Sequence, residues 1–167
     1  MWRLFKRGKD PQWLKEYKAG ERNFAERDLS GQSFAGANLD NIYLRGANLQ
    51  GADFENAHIR LADFNLCDCS GARFQGAKID KSYFVGAKVP NCSFKGATLF
   101  KCKLDLAFIG NVDFSGSNLG DVSFRDAKVL QSDFSNTPLA MCHFEGIYAA
   151  IRQTLHENRA WLEGAAG

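Results

Sequence analysis

The residues of this chain that could do chemistry are five cysteines, three histidines and a scatter of aspartates. A catalytic thiol needs a base beside it, and a structural zinc needs about four converging ligands. Cys67 and Cys69 form one close pair with no second pair to complete a metal site, and His58, His143 and His156 share no common face. The cysteines follow a period instead of converging on a point. Cys67, Cys92, Cys102 and Cys142 all stand at one phase of a five-residue pattern, and Cys69 stands at another. Residues placed in that way are core filler, and unpaired thiols suit a reducing compartment. Asp53, Asp63, Asp113 and Asp133 also recur at one phase, which gives them structural work first. No catalytic residue, metal site or cofactor site is expected.

The pattern itself must position these residues. Every fifth residue from Phe24 to Phe144 is apolar, 25 positions without a break. Two places before each centre, from Ala37 onward, stands mostly Ala, Ser or Cys, with Ile42 the large exception. Two places after, ten Gly and five Asn dominate. A period of five is neither that of a strand nor that of a helix, so the chain must turn at every repeat. Gly and Asn suit such turns. One large and one small side chain then point inward from each short extended segment.

Sorting the centres by twenty separates them into columns. Phe34, Phe54, Phe74, Phe94, Phe114 and Phe134 form one, and Phe24, Leu44, Phe64, Phe84, Leu104, Phe124 and Phe144 the opposite one. The two columns between them are aliphatic except for Cys69. A ten-residue period gives the same alternation, but a two-segment loop encloses no core. The expectation is therefore an all-β solenoid, a quadrilateral parallel β-helix of about six coils. At ~4.8 Å per stacked strand it is a rod of about 30 Å.

Blocks such as GANLQ, GADFE, GARFQ and GAKID resemble the pentapeptide-repeat family, written A-(D/N)-L-x-x. The resemblance implies a right-handed coil. The segment LKEYKAGERNF also resembles the capping leader of cyanobacterial and other bacterial members. Lys78, Lys88, Lys103 and Lys128 depart from the pattern, standing where the family takes Asp or Asn. Several members dimerise through C-terminal elements, and some resemble B-form DNA and modulate DNA gyrase, giving quinolone or toxin resistance.

A stack of coils has open strand edges at both ends, which need covering. Asp10 and Pro11 predict a helix start, with Asp as N-cap and Pro in the first turn, and Gly20 a stop. The short helix between carries Trp13, Leu14 and Tyr17 as a lid. After Gly146 the period ends, and Tyr148, Ile151, Leu155 and Leu162 recur at helical spacing. They predict a C-terminal amphipathic α-helix that caps the last coil or joins two copies as a homodimer. The chain thus divides into a basic arm with its capping helix over 1–22, a β-helix over 23–146, and a C-terminal helix and tail over 147–167.

Charge and surface bear on function. The net charge is +2, with no apolar run long enough for a membrane span. The start, MWRLFKRGKDPQ, has no apolar stretch behind its basic residues, so the expected location is cytoplasmic. Residues 71–104 are net +6, between two stretches that are each net −4. The seven cations, Arg73, Lys78, Lys81, Lys88, Lys95, Lys101 and Lys103, make a girdle around the rod. A duplex mimic should be acidic along its length, so the girdle counts against that alternative, and no nucleic-acid partner is expected. Flat walls without loop insertions offer no concavity for a small-molecule substrate. Tyr43, Tyr83, Leu66, Val85 and Leu106 share one wall at outward positions, and a clustered apolar set marks a surface for a protein partner. Leu66 and Leu106 have the other option of tucking inward at turns. The expected function is a non-catalytic, rigid protein-interaction module whose partner the sequence does not name.

Overall fold

The computed structural model describes residues 11–147. All pairing is parallel, and every partner lies twenty residues on: Asn23 bridges Tyr43, Asp28 bridges Asn48, Ser33 bridges Asp53, and Asn38 pairs with His58. Four pairing positions in each turn of chain give a parallel β-solenoid with four walls. The first wall carries the centres Phe24 to Phe144, the second Leu29 to Val129, the third Phe34 to Phe134 and the fourth Leu39 to Leu139.

The backbone accounts for why five residues are enough. The N–H of a centre donates to the next coil, as Phe54 does to the Arg73 carbonyl at 2.7 Å. The N–H two places on does the same, Asn56 to Gln75 at 2.9 Å. The N–H before the centre donates to the previous coil, Asp53 to Gln32 at 2.9 Å. The small inward residue closes the turn within its own coil, Ala57 to Phe54 at 3.0 Å. One N–H remains, just after the centre, and the Asp or Asn before the centre accepts it. Asp53 takes that of Glu55 at 3.0 Å, Asp63 that of Asn65 at 2.9 Å and Asp133 that of Ser135 at 2.8 Å. The recurring acidic residues thus satisfy orphan donors.

The corner residue two places after each centre lies in the left-handed region at all but Met141, from Glu26 (φ 59) to Gly146 (φ 75). A bulky residue there costs roughly 1–2 kcal/mol, while burying a phenylalanine contributes about 1.5–3 kcal/mol. The core therefore outweighs the strain of the non-Gly corners.

The walls are not equivalent. The fourth is a regular sheet of β1 (Asn38–Asp40), β2 (His58–Arg60), β3 (Lys78–Asp80), β4 (Thr98–Phe100) and β6 (Asn118–Gly120). The second ends in a pair, β5 (Phe108–Gly110) with β7 (Lys128–Leu130). Elsewhere single bridges run straight into turns. In these strands the residue before the centre is Asn, His, Lys, Thr or Phe and takes no N–H two places on, so Lys78 and Lys128 lose nothing there. The strand ladder counts five turns, slightly fewer than the six coils expected. Its next donor would be residue 138, which is Pro138 and has no N–H. Isolated bridges on the first wall continue the stacking from Asn23 to His143.

Inside, Phe34, Phe54, Phe74, Phe94, Phe114 and Phe134 stack with centroids 4.5, 4.7, 4.6, 5.1 and 4.7 Å apart. The first-wall rings meet them edge-on, Phe64 against Phe54 at 5.6 Å and 76°. Both arrangements suit the ring quadrupole. Polar atoms at the small inward position are satisfied by backbone carbonyls. The Thr137 hydroxyl donates to the Phe114 carbonyl at 2.6 Å and the Cys67 thiol to that of Leu44 at 2.7 Å. That is why Ser, Thr and Cys replace Ala without penalty.

α1 (Gln12–Lys18) lies over the first coil, with Trp13 and Leu14 buried. Its N-cap is Pro11 rather than Asp10, with no side-chain cap, and Gly20 follows the C-cap Ala19 at φ 102. Proline occupies the cap instead of the first turn because its ψ of 154° is extended. Asp10 itself, the basic arm and the expected C-terminal helix with Tyr148, Ile151, Leu155 and Leu162 lie outside the described residues.

Candidate interaction surface

On the first wall each turn offers outward positions before and after the centre and at two corners. Tyr43 and Tyr83 stand before their centres, two coils apart, with Asp63 bridged between them. Tyrosine cannot accept the N–H that Asp or Asn takes at this place. For Tyr83 the work passes to the coil below, where Asn65 Oδ1 accepts the Val85 N–H at 2.7 Å. The phenol is therefore free of a structural duty, and Tyr43 and Tyr83 are 51% and 40% exposed.

Leu66 and Leu106 occupy one corner at φ 60 and 59 and do not tuck inward: they are 57% and 63% exposed. Leu66 lies across Gly86, where a Cβ would stand 2.9 Å from its Cδ2. Val85 is half-buried beside them. Leu61, at the opposite corner with φ 54, is exposed too. Sequence reasoning passed over Leu61, although a leucine in a Gly/Asn column was the available signal. The five residues Tyr43, Leu66, Tyr83, Val85 and Leu106 thus lie with Leu61 on one wall and its two edges, over four successive turns.

The cations beside this patch are in no salt bridge among the described residues. Lys81 and Lys101 follow Leu61 down the same corner, and Lys103 pairs in register with Tyr83. Among the described residues none of the six girdle lysines is in a salt bridge. The Lys101 ammonium lies 5.3 Å from the Phe100 ring centre. Three arginines behave differently. Arg73 pairs with Asp53 at 2.6 Å, Arg125 with Glu145 at 3.0 Å, and Arg60 with Asp40 at 3.5 Å, each across one turn.

Past the patch, toward the C-terminal coils, the wall becomes polar. Lys101, Lys103, Asp121, Ser123, Arg125 and His143 line a shallow depression of about 260 Å³. Its groups are mostly spent on one another: Asp105 accepts from the Ser123 hydroxyl and the Arg125 N–H, and Asp121 faces His143 Nε2 at 3.2 Å. The Arg125 hydrogen bond holds the Glu145 carboxyl below its ordinary range.

The cysteines offer no nucleophile. Cys67, Cys69, Cys92 and Cys102 are buried and Cys142 nearly so, and all are free. Burial pushes Cys92 up to about 12, Cys102 to about 11 and Cys142 to about 12. Hydrogen bonding to Cys67 and burial hold Cys69 well above the ordinary thiol value. Such thiols stay protonated at neutral pH. Among the described residues no group of three or more His, Cys, Asp or Glu is placed to hold a metal ion, and no helix is long and apolar enough to cross a membrane.

Residues 23–60 and 67–105 match the family model for pentapeptide repeats, in eight copies. No curated protein sequence matches the chain significantly. Among solved structures, a trypsin-treated form of QnrB1, a plasmid-mediated fluoroquinolone resistance protein, aligns at 15% identity, covering 83% of this chain and 92% of that one, with TM-score 0.39. A pentapeptide repeat protein of the Arabidopsis thaliana thylakoid lumen aligns at 21% identity over 80% and 77%, with TM-score 0.35. HetL of Nostoc sp. strain PCC 7120, involved in heterocyst differentiation regulation, aligns at 19% identity over 81% and 90%, with TM-score 0.29.

Proposed function

Since this chain is a pentapeptide-repeat protein, built as a β-helix, we propose that it works without catalysis, as a rigid module that presents its first wall to a protein partner. The observation that carries this reading is the exposure of Tyr43, Tyr83, Leu66 and Leu106 together on one wall. A solenoid whose every turn is fixed by hydrogen bonds above and below loses little entropy on binding, so even a modest patch can bind productively. Tyrosines are among the usual anchors of such contacts, and the leucines add apolar area around them. The free thiols support a reducing, cytoplasmic setting. The duplex-mimic alternative finds no support in a rod whose middle carries six lysines that are in no salt bridge among the described residues.

The test is capture from an extract of the source cell with the whole chain as bait, read by mass spectrometry. The reading expects a protein held by the parent, lost with Tyr43→Ala/Tyr83→Ala, and kept with Glu55→Ala on the opposite wall. Capture insensitive to the tyrosines overturns it. A change in gyrase supercoiling on adding the purified chain favours the mimic instead.

A further inference from the structure

We infer that the first-wall patch receives an acidic amphipathic helix, whose apolar face meets Tyr43, Leu66, Tyr83 and Leu106 and whose acidic flank meets Lys81, Lys101 and Lys103. The inference rests on the interaction-wall reading and names the chemistry of the partner. Three observations carry it.

The first is strain without reward. Leu61, Leu66 and Leu106 hold left-handed backbone at φ 54, 60 and 59, where the other left-handed residues at the same two corners are only Gly or polar and charged ones, among them Lys81 and Lys101. A leucine normally recovers such a cost by burial, but Leu66 and Leu106 are among the most exposed apolar residues described. Bulky residues kept in strained, wet positions fit a surface whose burial comes from elsewhere.

The second is charge. Lys81 and Lys101 stand one above the other on the patch's edge, with Lys103 beside them. Like charges on neighbouring turns repel, and none of the three is in a salt bridge among the described residues. A partner with carboxylates along one side relieves that repulsion while its apolar side covers the leucines.

The third is spacing. Tyr43 and Tyr83, and Leu66 and Leu106, are each two turns apart, about 9.6 Å along the rod. Residues i and i+7 of a helix rise about 10.5 Å, and one helix is about 10–12 Å wide, matching a wall of roughly three extended residues. An anionic lipid surface would lie over Asp63, in the middle of the patch with its carboxylate on the Asn65 N–H at 2.9 Å, whereas a helix keeps its carboxylates on the lysine flank and sets apolar groups over the middle.

The experiment is selection of a phage-displayed random 16-residue peptide library on the full chain, followed by fluorescence anisotropy with one enriched peptide. Enriched sequences are expected to carry apolar residues at i, i+3 or i+4, and i+7, with Asp or Glu on one flank. Leu66→Asn/Leu106→Asn is expected to weaken binding at least tenfold while melting no lower than the parent, because Asn suits this corner, as Asn56 shows at φ 55. Lys81→Glu/Lys101→Glu/Lys103→Glu should also weaken it at least tenfold, and so should raising NaCl from 0.05 to 0.5 M. If the leucine pair matters and the lysines do not, the acidic-helix inference is overturned and the interaction wall stands. If neither matters, both are overturned. No enrichment, basic or non-amphipathic winners, binding to phosphatidylglycerol vesicles, or self-association abolished by Leu66→Asn/Leu106→Asn each overturns the inference as well.

Discussion

Trp13 and Phe34 meet ring to ring, with centroids 4.2 Å apart and planes tilted by 36°. The capping helix thereby adds a seventh ring to the column that runs from Phe34 to Phe134. Because each turn touches only its neighbours, loss of this ring should loosen the near end and leave the middle alone. Trp13→Ala is expected to cost about 3–5 kcal/mol and to lower amide protection around Phe24 and Phe34 while that around Phe94 persists, as hydrogen exchange would show. Trp13→Phe should be close to neutral, since the indole Nε1 is buried with no hydrogen-bond partner. Protection lost evenly along the rod would contradict this one-dimensional behaviour.

Leu66 and Gly86 give a pair of substitutions with opposite signs. Leu66→Asn removes a bulky group from φ 60 and should raise stability by about 1 kcal/mol. Gly86→Ala should lower it by about 1–2 kcal/mol, because the backbone there is at φ 66 and the new methyl would press on Leu66. Thermal melts of the two variants decide it; a stabilising Gly86→Ala would show that the corner relaxes freely.

How much was legible beforehand follows from what repeats. The five-residue phase of Phe54, Ala52 and Gly51 contains the wall, the inward pair and the corner, because each repeat closes its own hydrogen bonds within one turn of its neighbours. The exposed position of Tyr43 follows from the same phase, whereas the phase alone leaves Leu106 either outward or tucked inward at its turn. What a period cannot carry is the difference between walls. It lies in the residue before each centre, where Asp63 accepts the Asn65 N–H but His58 lets the chain run on as a strand. The takeover of the Val85 N–H by Asn65 also escapes the phase, because it joins residues twenty apart through a side chain. Leu61 escapes the phase for a simpler reason: it is one corner among many, and only its place on the patch's edge sets it apart.

The buried thiols make stability depend on alkaline pH. Burial raises Cys92 and Cys142 to about 12 and Cys102 to about 11, from an ordinary 9.0. Above pH 9 the unfolded chain sheds these protons and the folded chain does not, so the unfolded state gains. The contribution is complete below pH 9 and is lost as the pH rises toward 11–12. Melting temperature is expected to hold between pH 7 and 8 and fall between 9 and 11, with the fall reduced by Cys92→Ala. A thiol reagent at pH 8 should label these cysteines slowly in the folded chain and fast in guanidinium.

Pro138 stops the fourth-wall ladder one turn short of the second and third walls. At each earlier level the residue in its place donates to the coil below, as Asn118 does to the Ala97 carbonyl at 2.8 Å and Thr98 to that of Ala77 at 2.9 Å. The next acceptor in this series is the Ser117 carbonyl, and a proline cannot reach it with an N–H. Pro138→Asn restores the donor in a position where Asn118 and Asn38 already serve as strand residues. The added bond is worth about 1 kcal/mol, against which the freed backbone of the unfolded chain subtracts about 0.4–1 kcal/mol. Global stability should therefore change little, while the new amide at 138 and its neighbour Leu139 gain exchange protection. A protected amide at 138 without a large shift in the melt is the expected pair of results. An unprotected amide there would mean that the last turn is held away from the ladder by something other than proline.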